Sequence, residues 1–224
     1  MSTHQIDLTH TLNDKIPTWT GRCSFYTKVL ADYNPAKVMR YQMNSASGTH
    51  MDAPAHFMPD GLTIEAIPIE NLIVPLYVID VTQEAHPDFF LTPNHIAQFE
   101  KAHGKIAPNS FVVAYTGWQE RWSTPHLYRN VDSEGNGHYP GFSAESAQLL
   151  LEREIAGIGI DTLNPDGNNQ EYPVHYAILG AGKYIVENLT NLDKVPASGA
   201  QVALLPLKIE GAPEAPIRAV ALLN

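Results

Sequence analysis

The aliphatic and β-branched residues of this chain come in short runs, and none approaches the roughly 18 residues that a membrane span requires. Six of these runs read as strands: Leu72 to Val81, Phe111 to Thr116, Ile155 to Ile160, Tyr184 to Val186, Val202 to Ile209 and Ile217 to Leu223. Two helices fall between them. One follows Thr92 as N-cap, with Pro93 at its first position, and stops at Gly104. The other follows Ser143, carries Glu145 in its first turn, and repeats apolar residues at Ala147, Leu150 and Leu151 before Gly157. The 17 prolines and 15 glycines are spread along the chain rather than gathered into a linker. One domain over residues 1–224, of mixed α/β class with a sheet-dominated core, is therefore expected.

Charge and cysteine usage narrow the chemistry. With 24 acidic against 14 basic residues the net charge is -10, and no local basic cluster offsets it, which speaks against a nucleic-acid partner. The segment Met1 to Asp7 has neither a basic nor an apolar leader region, so a soluble cytoplasmic protein is expected. Cys23 is the only cysteine, which excludes an intramolecular disulfide and any multi-thiolate metal site. A metal would have to be held by His, Asp and Glu.

Such residues meet in Gly48-Thr49-His50-Met51-Asp52-Ala53-Pro54-Ala55-His56. In an extended segment side chains alternate faces, so His50 and Asp52 point the same way and His56 shares their parity, with Pro54 able to bend the chain between them. An imidazole and a carboxylate two residues apart offer a divalent cation two ligands on one strand. The same pair also reads as an ordinary surface or hydrogen-bonded core pair. The small, polar lead-in with Gly48 and Thr49 suits the rim of a substrate cavity. Downstream, Pro173 opens a short helix that Gly180 ends, and Tyr184 to Val186 follow as a buried strand. Glu187 then marks either the point where that strand reaches solvent or a buried carboxylate that needs a partner such as a metal.

These residues resemble the metal-dependent cyclase-like hydrolases, the family of bacterial arylformamidase (kynurenine formamidase) and isatin hydrolase. The family signature His-x-Gly-Thr-His-x-Asp-x-Pro-x-His is matched from Gly48 to His56 at every position but the first, where this chain has Ala46. Further resemblance lies in Ile16 to Gly21, Tyr115 to Trp118, Gly159 to Thr162 and His175 to Glu187. It implies the family's swivelling β/β/α fold and a homodimer or larger homo-oligomer. It implies His50, Asp52, His175 and Glu187 as metal ligands, with Asp52 able to bridge two ions, His56 as general acid or base, and Trp19 on the wall of the substrate pocket.

A methyl group at Ala46 coordinates nothing, so the expectation is one divalent ion per subunit rather than two, with Mn2+ or Zn2+ suited to the mixed N/O ligand set. The reaction expected is hydrolysis of a carbon–nitrogen bond in a small amide, lactam or formamide. The alternatives are a metal-dependent lyase or cyclase and a metal-depleted binding protein. His138, in a turn-rich loop, reads either as a pocket border or as an exposed histidine. Trp118 and Trp122 read as pocket entrance, oligomer contact or core.

Overall fold

Strands that pair in parallel need a connection that carries the chain back, and helices supply it here. The computed structural model describes residues 4–223. In chain order the elements are β1 (His4–Asp7), β2 (Phe25–Ala31), β3 (Val38–Met43), β4 (His50–Asp52), β5 (Ile73–Asp80), β6 (Phe90–Leu91), α1 (Pro93–His103), β7 (Phe111–Tyr115) and α2 (Pro125–Arg129). Then follow β8 (Gly141–Phe142), α3 (Ala144–Glu152), β9 (Gly157–Ile160), α4 (Pro173–Gly180), β10 (Tyr184–Glu187), β11 (Ala200–Pro206) and β12 (Glu214–Leu223). β5, β7, β9 and β10 are parallel neighbours, and α1, α3 and α4 lie in the three connections between them.

The sheet closes on itself. Its order runs β12-β11-β5-β7-β9-β10-β4, and β4 pairs back to β12. β12 is long enough to serve two partners on one edge: Glu214 to Pro216 face β4, whereas Val220 to Leu223 face β1. The chain is thus mixed α/β with a seven-stranded barrel.

Two apolar cores follow from alternation along the parallel strands. Val74, Leu76, Phe111, Val113, Tyr184 and Val186 point into the barrel, where they meet Val202, Leu204, Ala219 and Ala221 from β11 and β12. Ile79, Val112, Ala114, Ile158, Ile160 and Ile185 point outward and are covered by Ile96 and Phe99 of α1, Leu150 of α3 and Ile178 of α4. Gly157 leaves room for β10: a Cβ there would lie 2.5 Å from the Tyr184 carbonyl oxygen.

α1 begins and ends at the expected residues, whereas α3 begins where expected but ends at Glu152, short of Gly157. Thr92 caps α1 and Gly104 ends it, and the Ser143 hydroxyl accepts from the Ser146 N–H at the start of α3. The two largest shifts of strand ends have physical reasons. β11 stops at Pro206, which has no N–H to continue a ladder, and β12 starts at Glu214, earlier than Ile217, because its first residues pair with β4. β2 and β3 form a separate antiparallel ladder exposed on both faces, so no buried stripe announces them. Among the described residues no helix is long and apolar enough to cross a membrane.

The segment after β1 ties the N-terminal region to the strand that carries the signature. The His10 N–H donates to Thr49 Oγ1 at 3.0 Å, and the His10 ring lies flat on Trp122, with centroids 3.8 Å apart. Burial lowers the His10 pKa from 6.5 to about 4, and its Nε2 is buried without a partner. The unfolded chain therefore takes up this proton first. The His10 contribution is complete above pH 6.5 and is lost as pH falls towards 4, by up to about 3 kcal/mol. His10→Phe is expected to flatten the loss of stability over this window in urea titrations. Parallel acid profiles for the two proteins would contradict this.

Candidate metal centre

β4 is the shortest strand of the barrel, and each of its side chains is assigned by pairing on both edges. Directly opposed residues of antiparallel strands share a face, so Glu187 joins His50 from β10 and Glu214 joins Asp52 from β12. Met51, between them, points the other way into the barrel core. His175 arrives from the first turn of α4.

The resulting cluster is compact and almost sealed from solvent. His50 Nε2 lies 3.5 Å from Asp52 Oδ1 and 3.4 Å from Glu187 Oε2. His175 Nε2 lies 3.6 Å from both Asp52 Oδ2 and Glu187 Oε1. His50, Asp52, His175 and Glu187 are each buried, with exposures of 3%, 1%, 4% and 5%. Both Asp52 oxygens lack a hydrogen-bond partner.

The surroundings turn both imidazoles towards the centre. His50 Nδ1 is 2.9 Å from the Gly48 carbonyl, and His175 Nδ1 is 2.6 Å from Asp166 Oδ2. A carbonyl and a carboxylate can only accept, so each Nδ1 carries hydrogen and each Nε2 is directed at the cluster. Asp166 also receives the N–H groups of Val174 and His175, which fixes the start of α4. Gly48 holds a φ of +70°, and a Cβ there would fall 2.5 Å from Leu12 Cδ2. Glycine is therefore required at the turn that presents its carbonyl.

Electrostatics mark the cluster as two imidazoles among too many carboxylates. Burial pushes the Glu187 carboxyl well above its ordinary range, and the nearby Asp52, Glu214 and Asp166 push it further. Burial would raise Asp52 as well, but His175 and His50 beside it bring it below its ordinary range. Burial works to lower His175, and the Asp166 and Asp52 carboxylates outweigh it, lifting its pKa to about 9. Unpartnered buried oxygens on Asp52, with imidazole nitrogens aimed at the same point, are the donor set of a divalent cation. Among the described residues, two sets of three bring one donor atom each within 4.8 Å of one another: Asp52, His175, Glu187, and His50, Asp52, Glu214.

A cavity of about 410 Å³ opens over this floor, with Trp19, Phe57, Leu163 and Tyr172 among its walls. Ala46 and His56 also line it. His56 reaches it from a 3-10 turn, Pro54–His56, and its Nδ1 is 3.7 Å from Glu214 Oε2.

The family model described as "Putative cyclase" matches residues 6–167. The chain belongs to the cyclase family. An isatin hydrolase of Roseibium aggregatum is 37% identical over 189 residues, covering 79% of this cyclase-family chain and 71% of that protein. A kynurenine formamidase of Bacillus cereus is 28% identical over 226 residues, 96% of this chain and 95% of its own. Isatin hydrolase A from Ralstonia solanacearum superposes with a TM-score of 0.92 at 31% identity, covering 99% of this chain and 92% of that one.

Against that family background the chain's own placements are informative. His50, Asp52, His56, His175, Glu187 and Trp19 meet at one cavity. Gly48 and Thr49 do not line it. The Thr49 hydroxyl donates to the Asn188 carbonyl at 2.6 Å, and the Gly48 carbonyl accepts from Asn188 Nδ2 at 2.9 Å, so both brace the strand behind the site. His138 lies outside the cavity lining, between Asp88 and Asp132, and hydrogen bonding to Asp88 and Asp132 raises its pKa. Trp118 is buried and donates to the Tyr128 carbonyl, and Trp122 packs on His10. Asp161, in the segment Gly159 to Thr162, is fully buried; burial lifts its pKa to about 6, although Thr116 and Gln119 donate to it. Sequence reasoning missed Glu214 and Asp166. The only local signal for Asp166 was a loop carboxylate shortly before Pro173, and for Glu214 there was none.

Proposed function

We propose that this chain is a metal-dependent hydrolase that cleaves the carbon–nitrogen bond of a small aromatic lactam or formamide, of the isatin or N-formylkynurenine type. The unpartnered, buried Asp52 carboxylate at the floor of the cavity carries this reading. His50, Asp52, His175 and Glu187 would hold the cation, Mn2+ or Zn2+. Such a cation supplies Lewis-acid chemistry, polarising a carbonyl and making water more acidic.

The protein's own groups do the rest. Trp19, Phe57 and Tyr172 offer flat apolar walls to an aromatic ring. His56, partly open to the cavity, accepts a proton from the attacking water and returns it to the departing nitrogen, with Glu214 facing its Nδ1. The buried floor excludes water from behind the ligands.

A chelator is expected to abolish turnover of isatin or N-formylkynurenine, and added Mn2+ or Zn2+ to restore it. In 18O-labelled water the label is expected in the product carboxylate, whereas unlabelled product would mean a lyase or cyclase. His56→Ala is expected to cut kcat by about 10²–10⁴-fold with metal content unchanged. Full activity in the chelated enzyme would sink the reading. A homo-oligomer belongs to the same proposal. The β2–β3 ladder exposes Tyr26, Leu30 and Tyr41, and its connection exposes Tyr33, a surface a second copy would cover. A monomer by sedimentation would remove that part alone.

A further inference from the structure

We infer that Glu214 supplies the ligand that Ala46 cannot, so that the site takes two divalent cations with Asp52 between them. The inference rests on the metal-dependent reading above and departs from the expectation of a single ion.

Three observations carry it. The first is placement. Glu214 stands directly opposite Asp52 in the antiparallel pairing of β12 with β4, on the face that carries His50 and Asp52, and it lines the same cavity as Ala46. Its position is set by backbone register rather than by a loop. Ser45 Oγ donates to Glu214 Oε2 at 2.8 Å, which orients the carboxylate and leaves its other oxygen to coordinate. His50, Asp52 and Glu214 each bring a donor atom within 4.8 Å of the others.

The second is the Asp52 carboxylate itself. Its two oxygens are buried and without hydrogen bonds, and they face different imidazoles. Oδ1 is 3.5 Å from His50 Nε2, while Oδ2 is 3.6 Å from His175 Nε2. One cation with His175 and Glu187 would satisfy Oδ2. Oδ1 would then remain a buried acceptor on the His50 side, with the loss of its hydration uncompensated. A second cation among His50, Asp52 and Glu214 meets it. Two-cation sites are an established arrangement for hydrolysis.

The third is charge. Asp52, Glu187 and Glu214 bring three carboxylates to one cavity, and neither lysine nor arginine is among the described residues that line it. One dication leaves this set negative, and two reverse it. An imidazole at position 46 would have been a neutral ligand. Glu214 replaces it with a charged one, which strengthens attraction for the second cation.

The test counts cations. Protein stripped with chelator and titrated with Mn2+ alone, read by calorimetry and by elemental analysis after desalting, is expected to bind two equivalents per chain. Glu214→Gln is expected to bind one, and Ala46→His with Glu214→Gln to return to two. Electron paramagnetic resonance of Mn2+-saturated wild type needs no variant and is expected to show an exchange-coupled pair. One equivalent in both wild type and Glu214→Gln, or an isolated-ion spectrum at saturation, would overturn this inference and leave the hydrolase reading intact. Two equivalents in both proteins would remove Glu214 as a ligand. No stoichiometric binding by wild type would overturn both.

Discussion

Glu187→Gln is expected to raise the melting temperature of the metal-free protein while removing most of its activity. The Glu187 carboxyl is buried at the end of β10, with Asp52 beside it and Glu214 and Asp166 near, and its pKa lies well above 4.5 in the fold. Folding therefore binds a proton that the unfolded chain releases above that value. The stabilising contribution of this proton is complete below about pH 4.5 and is lost as pH rises through the folded value. Glutamine has the same shape and nothing to ionise. The variant's advantage over wild type is expected to be small at pH 5 and larger at pH 8, on the order of 1–3 kcal/mol, in melts with excess chelator. With Mn2+ present the order reverses: wild type gains from ligation, and the variant loses the cation shared with Asp52 and His175. Turnover is expected to fall about a thousandfold, since several kcal/mol of charge stabilisation go with it. A metal-free variant less stable than wild type at pH 8 would contradict the strained carboxylate.

How much of this site was legible in the sequence depends on how each residue is held. His50 and Asp52 share a face because β4 is an extended strand, and alternation alone says so. His56 shares their parity, yet it reaches the cavity through the Pro54–His56 turn. For Glu187 the sequence left two readings, solvent or a buried carboxylate, and 5% exposure decides for burial. Glu214 was out of reach. It meets Asp52 only because β12 pairs with β4 across most of the chain, and no local pattern encodes that register.

The fold divides in the same way. The four parallel strands are covered on both faces, so they read as unbroken aliphatic runs. The short or exposed strands β1 to β3, β6 and β8 lack such runs and went unseen, as did the five-residue helix α2. The helix boundaries were the most legible part, because Thr92, Pro93, Gly104, Ser143, Pro173 and Gly180 act through local backbone chemistry.

Asp166→Asn tests whether the residues behind the ligands set their chemistry. Asp166 Oδ1 accepts from the Val174 N–H at 2.7 Å, while Oδ2 accepts from the His175 N–H at 3.2 Å and from His175 Nδ1 at 2.6 Å. An amide keeps only one acceptor oxygen for these three donors. With that oxygen on Val174, the NH2 group faces Nδ1, which must then give up its hydrogen. The proton moves to Nε2, the atom aimed at Asp52 and Glu187, and the nitrogen can no longer coordinate. With the amide flipped, the Val174 N–H is left buried and unmet instead. Mn2+ or Zn2+ affinity is expected to fall about 10–100-fold, read by competition with a chelating dye. Stability is expected to drop by about 1–3 kcal/mol. Loss of a start-of-helix bond alone would lower stability without touching the imidazole, so nitrogen chemical shifts of His175 separate the two effects. In the metal-free wild type Asp166 helps lift the His175 pKa to about 9, and in the variant it is expected to titrate lower. An unchanged His175 titration together with unchanged metal affinity would show that Asp166 serves the helix and not the ligand.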